Sequence, residues 1–285
     1  MWNKNETTFF GFETAYEDAG IVLYGAPFDS TTSYRPGTRF ASAAMRNESY
    51  GLETYSPYQD ADLSDCAVFD GGDLTLCIGD ASLALREIER AAGAILADEK
   101  LPLMLGGEHL CTLGAVRAAV QKYTDLHILH FDAHADFRED YLGAKLSHAT
   151  VMRRCHELIG DGRIFQFGIR SGEREEFRFA KSHASTQRFD LNGLTETLDM
   201  LGNKPIYLTV DLDVLDPSVF PGTGTPEPGG IGYLELQQAV CMIAERCDIV
   251  GCDLVELSPP LDTSGVSTVV ACKLLRELLL KLSMK

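Results

Sequence analysis

The sequence predicts an α/β protein with a parallel sheet covered by helices on both faces, and three observations carry that prediction. Short apolar runs alternate with amphipathic stretches along the chain. The runs are compact and apolar, as expected of buried strands. Clusters of Asp, Glu and His fall directly behind three of them, at the strand ends where open parallel sheets place their ligands.

In order, strands are predicted at residues 21–24, 67–69, 103–105, 126–131, 164–168, 206–210 and 249–255, with 186–189 a candidate eighth. Amphipathic helices lie between them. Residues 82–98 place Leu83, Leu85, Ile88, Ala92, Ile95 and Leu96 on one broad apolar face. Residues 233–246 and 267–282 read the same way. In the last of these, leucines recur at helical spacing and point to core packing. Two loops stand out: 30–40, which contains Arg35-Pro36-Gly37, and 216–230, which is dense in Pro and Gly. Both residue types restrict or extend backbone choice, so these loops suit either a shaped wall near a site or a rigid surface connection.

No low-complexity linker or repeat divides the 285 residues, so one domain (1–285) is expected, with residues 1–20 as an N-terminal arm. That arm has neither a basic n-region nor an apolar h-region, and no secretory signal is expected. No apolar run approaches a membrane span. Eight cysteines without CxxC spacing read as thiols of a reducing cytoplasm. A net charge of −17 opposes nucleic acid and anionic lipid and favours a cationic partner.

The chemistry is concentrated in three clusters. Asp132, His134 and Asp136 alternate behind the run 126–131, so they converge if the strand ends there. Asp211 and Asp213 follow 206–210, and Gly106-Gly107-Glu108-His109 follows 101–105. A lone Asp at a strand end is usually a cap or turn former. Three clusters at equivalent ends, offering four Asp and two His, require a cation instead. Oxygen-rich ligation without cysteine suits Mn²⁺ better than structural zinc. Four carboxylates balance two divalent ions, with Asp132 and Asp211 as plausible bridges.

These motifs resemble the ureohydrolase family of arginases, agmatinases and relatives, its bacterial agmatinase branch most of all. The resemblance rests on Gly106–His109, Asp132–Asp136, Ser147-His148, Asp211–Pro217 and Glu256-Leu257-Ser258-Pro259, and it extends back to Gly25–Asp29 and Tyr34–Phe40. It implies a three-layer α/β/α fold with a mostly parallel eight-stranded sheet. It implies two Mn²⁺ per subunit, one on His109, Asp132, Asp136 and Asp211, the other on Asp132, His134, Asp211 and Asp213. By the same resemblance Glu256 binds a guanidinium group and His148 shuttles a proton, while a metal-bridging hydroxide attacks the guanidinium carbon. Glu108 and Asp262 are candidates for orienting ligands; His127, His130, His156 and His183 match no ligand position and are read as structural.

Arginases carry an Asn where this chain has Phe137-Arg138, so agmatine, which lacks a carboxylate, fits better than arginine. The implied activity is hydrolysis of agmatine to putrescine and urea, a step of polyamine synthesis, by a cytoplasmic homo-oligomer (trimer or hexamer). Arg138 leaves an acidic substrate open, as in guanidinobutyrase or formimidoylglutamase. Ala135, Ala149 and Leu261 also depart from the commonest family pattern. A non-catalytic relative and a zinc deacetylase of related fold are the rival readings.

Overall fold

The apolar runs do become strands. The computed structural model describes residues 6–284, and among them ten strands form: β1 (Ile21–Gly25), β2 (Tyr55–Ser56), β3 (Ala61–Asp62), β4 (Val68–Asp73), β5 (Leu101–Leu105), β6 (His127–Phe131), β7 (Ile164–Ile169), β8 (Ser185–Arg188), β9 (Pro205–Asp211) and β10 (Asp248–Val255). β2 and β3 make a small antiparallel ribbon. The other eight form one parallel sheet in the order β4-β1-β5-β10-β9-β6-β7-β8.

Side chains alternate across this sheet into two cores. Ile206, Leu208 and Val210 of β9 face one layer while Tyr207 faces the other; Val22 and Tyr24 of β1 oppose Ile21 and Leu23. The first layer holds α1 (Ala41–Ser49), α6 (Leu194–Leu201), α7 (Tyr233–Arg246) and α8 (Val266–Ser283). The second holds α2 (Ala81–Ala97), α3 (Cys111–Lys122), α4 (Val151–Ile159) and α5 (Arg174–His183). The result is the three-layer α/β/α fold. No helix among the described residues is long and apolar enough to cross a membrane.

The differences from expectation have physical causes. β4 continues through Asp70 because Arg46 of α1 meets its carboxylate at 2.9 Å in the interior, where no charge is tolerated unpaired. β8 is polar because it is an edge strand, partly exposed and paired only with β7. α3 is buried on nearly every side and so lacks an amphipathic signature, whereas α5 buries only Glu176 and Ala180. In the segment read as an arm, Phe9 and Phe12 are inserted into this chain's own core.

The chain leaves β6 toward β7 on one side and β9 toward β10 on the other. Divergent connections open a crevice above the carboxyl ends of β6 and β9. Their register pairs Phe131 with Val210, which sets Asp132 and Asp211 side by side as the strands end.

Candidate metal centre

Four neighbouring strands, β5, β10, β9 and β6, deliver the predicted side chains to that crevice. His109 stands at their centre. Its Nδ1 lies 3.0 Å from Asp132 Oδ2, 3.1 Å from Asp211 Oδ2 and 3.3 Å from Asp136 Oδ2. Beside it, His134 Nδ1 lies 3.0 Å from Asp213 Oδ2 and 3.4 Å from Asp132 Oδ1. Asp132 thus turns one oxygen to each half of the site, as a bridge requires. Asp211 Oδ1 accepts the Asp213 N–H at 2.9 Å, and Asp213 Oδ1 accepts the Ala133 N–H at 3.1 Å, which ties the two strand ends together.

The protonation of His109 follows from its back side. Thr209 donates its hydroxyl proton to Asp253 at 2.6 Å, so its oxygen accepts from His109 Nε2 at 3.0 Å. In the neutral ring Nδ1 is then a bare lone pair, buried and facing three carboxylates. Only positive charge relieves that repulsion. Donors around an ion bound at about 2.1 Å stand roughly 3.0–3.4 Å apart, which is the spacing here. The residues present therefore fit divalent ions.

The electrostatics agree. Burial disfavours a charged imidazole at His109, yet the carboxylates of Asp132, Asp136 and Asp211 outweigh it and raise its pKa well above the usual value, so without metal a proton takes the place of the ion on Nδ1. Burial, then repulsion from Asp213 and Asp132, raises Asp211 far above the carboxylate range. Burial lifts Glu256 to about 8, with Glu108 and Asp213 adding to it, and lifts Glu108 to about 7. Each of these groups holds its proton more tightly when folded, so the metal-free protein binds more protons than its unfolded chain between about pH 4.5 and 8. Its stability falls as pH rises through that window. Chelator-treated protein should therefore melt several degrees lower at pH 8 than at pH 5.5, and saturating Mn²⁺ should remove the decline; a flat profile without metal contradicts the charge balance described here.

Two of the site residues hold uncommon backbone. Asp136 and Glu256 both adopt positive φ, at 55° and 66°, a conformation that costs a non-glycine residue roughly 1–2 kcal/mol. Glu256 is kept there by its N–H to Gly107 O at 3.0 Å, and its Oε1 accepts the His109 N–H at 2.8 Å. Gly107 has to be glycine, because a Cβ would lie 2.0 Å from the Phe28 carbonyl oxygen.

His148, at the head of α4, sits with Nδ1 2.9 Å from the Thr31 carbonyl oxygen, so Nδ1 carries hydrogen and Nε2 is the basic nitrogen. Burial lowers its pKa. Glu108 acts on this histidine: its carboxylate accepts from the N–H and hydroxyl of Thr31, whose Oγ1 accepts the His148 N–H. It holds a loop and no metal-facing side chain. Asp262, the other candidate for orienting ligands, lies away from the centre, where it accepts from Ser264 N–H at 3.0 Å and Ser267 N–H at 2.8 Å and caps the approach to α8.

The two notable loops meet above the centre. Arg35 donates to Gly224 O at 3.0 Å and Thr223 O at 3.1 Å, stapling loop 30–40 to loop 216–230. Arg170 holds the second loop through Glu227 O at 2.8 Å. Together they wall a cavity of about 630 Å³ that contains His109, His134, His148 and Glu256. Loop 216–230 is therefore a pocket wall.

His130, read as structural, meets a site residue directly: its Nε2 lies 2.8 Å from Asp132 Oδ2. Its position two residues before Asp132, on the same strand face, was the available signal. His156 and His183 meet Asp161 at 2.7 and 2.6 Å on the surface. Those separations are hydrogen bonds, shorter than the spacing an ion imposes, and mark a capped turn.

A parallel α/β/α sheet carrying carboxylate and imidazole half-sites at its strand ends, under a walled cavity, defines a metallohydrolase architecture. The arginase-family profile matches residues 19–281. An agmatinase of Bacillus cereus is 46% identical over 95% of both chains. The crystal structure of an agmatinase candidate from Clostridium difficile superposes with a TM-score of 0.92 at 53% identity, covering 95% of this chain and 99% of that one. A guanidinobutyrase of Pseudomonas aeruginosa is 35% identical over 92% of this chain and 85% of its own. This chain belongs to the arginase family, hydrolases acting on guanidino carbon–nitrogen bonds.

Proposed function

We propose that the protein is a Mn²⁺-dependent agmatinase that hydrolyses agmatine to putrescine and urea. The observation that supports the metal reading best is the bare His109 Nδ1 set 3.0–3.3 Å from three carboxylate oxygens. In this reading His109, Asp132, Asp136 and Asp211 hold one ion, and Asp132, His134, Asp211 and Asp213 hold the other. When bound, such a pair supplies water acidic enough to act as hydroxide near neutral pH.

The side chains do the rest. Glu256, on the cavity floor, receives the guanidinium through two parallel charge-assisted hydrogen bonds and fixes its plane. The cation provides a counter-charge against the burial, and the repulsion from Glu108 and Asp213, that raise the Glu256 pKa. His148, whose Nε2 is bare at rest, would take a proton there from the attacking water and pass it to the departing amine.

The tail of the substrate is the remaining choice. Arg138 pairs with Glu173 at 3.0 Å and Glu176 at 3.4 Å, and lies 5.1 Å over the Tyr141 ring. Its charge is engaged by protein carboxylates, which weighs against an anionic tail. Glu227 adds a carboxylate to the cavity rim, as suits the free ammonium of agmatine. A half-exposed ion pair is worth up to about 1 kcal/mol, so Arg138→Gln should change agmatine turnover by less than about fivefold.

A panel of agmatine, arginine, 4-guanidinobutyrate and formiminoglutamate with added Mn²⁺ tests the assignment. Urea from agmatine at the highest kcat/KM is expected; preference for 4-guanidinobutyrate would replace this reading with a guanidino-acid hydrolase. We place the enzyme in the cytoplasm, supported by eight free cysteines. We also take it as a homo-oligomer, a state that light scattering measures directly.

A further inference from the structure

We propose that His130, Gln166 and Thr186 form a relay across three adjacent strands that presets how Asp132 meets metal. It rests on the reading of Asp132 as a metal ligand. β6, β7 and β8 lie side by side, and each contributes one member.

The hydrogen positions follow one from another. The Gln166 side chain lies 2.9 Å from the Ala135 carbonyl oxygen, and only its NH₂ group can face a carbonyl. The Thr186 hydroxyl donates to the other end of the amide, Oε1, at 2.8 Å, which is consistent with the same orientation. The second amide hydrogen points to His130 Nδ1 at 2.9 Å, so that nitrogen accepts. In the neutral ring the hydrogen then resides on Nε2, which donates to Asp132 Oδ2 at 2.8 Å. Gln166 and His130 are fully buried, and no water is needed to complete the chain.

Two consequences follow. His130 steadies the oxygen that also faces His109, through its Nε2–H. Glutamine, unlike glutamate, enforces that tautomer, because its NH₂ group gives Nδ1 a hydrogen to accept. A carboxylate at position 166 would demand hydrogen on Nδ1 and so favour the tautomer whose Nε2 lone pair is aimed at Asp132. His130 is thus a positioning residue, and Gln166 sets its tautomer from the neighbouring strand.

The test measures Mn²⁺ affinity from the EPR signal of free Mn²⁺ in titrations of the purified protein, independent of turnover. Partners of this kind are worth about 10–100-fold in metal affinity. Gln166→Glu and His130→Phe should weaken Mn²⁺ binding within that range and shift the Mn²⁺ activation curve to higher concentration, with KM for agmatine unchanged. His130→Gln, which restores an N–H donor, should recover much of the loss, as a packing role would not. Wild-type Mn²⁺ affinity in folded His130→Phe and Gln166→Glu overturns the relay. Asp132→Asn separates the two claims: weakened binding there alongside intact affinity in the relay variants refutes the relay alone, whereas intact binding in Asp132→Asn refutes the ligand reading beneath it.

Discussion

Asp132→Asn should lower agmatine turnover about a thousandfold or more and reduce bound Mn²⁺ below two per subunit. The substitution is nearly isosteric, so its effect isolates charge. Asp132 turns one oxygen toward His109 and the other toward His134, and an amide offers at most one oxygen to those two directions. It also leaves three carboxylates to balance two divalent ions. Ionised water and charge stabilisation by metal are worth several kcal/mol, and about 4 kcal/mol is already a thousandfold. Elemental analysis and urea release on the same preparation check both halves. Full activity with two ions bound would remove the bridging role.

Glu256→Gln should separate substrate binding from metal binding. The two charge-assisted hydrogen bonds assigned to Glu256 are each worth roughly 1.5–3 kcal/mol, so kcat/KM for agmatine should fall about 10²- to 10⁴-fold. Bound Mn²⁺ should stay near the wild-type amount, because this carboxylate faces no imidazole lone pair of the cluster. Stability should move the other way. Burial lifts Glu256 to about 8, and nearby Glu108 and Asp213 repel its charge, so a neutral side chain relieves the metal-free protein above neutral pH. A higher melting temperature at pH 8 together with lost activity is the expected signature. Unchanged kcat/KM would take Glu256 out of the substrate site.

Much of this was legible in one dimension. Strand ends are marked by composition, and alternation by two places Asp132 and Asp136 on one side of their segment. The three clusters were therefore readable as one site once each was set at a carboxyl strand end. His130 obeys the same alternation, yet its meaning depends on Gln166 and Thr186, whose sequence distance conveys nothing about register. Asp253 looks like an anomaly within an apolar run, and only the fold shows it held by Thr112, Thr209 and Tyr207 behind His109. Arg138 reads in the sequence as an unpartnered cation, and only the fold sets Glu173 and Glu176 beside it, 35 and 38 positions away.

By itself the sequence determined the fold class, the parallel sheet and the side chains able to gather around cations, because these follow from local periodicity and residue chemistry. Tertiary structure alone decided which nitrogen of each histidine carries hydrogen, which carboxylate faces two ways, and which charges are already engaged. Those properties belong to pairs of residues at distances of about 3 Å, and only the lateral packing of strands sets such distances.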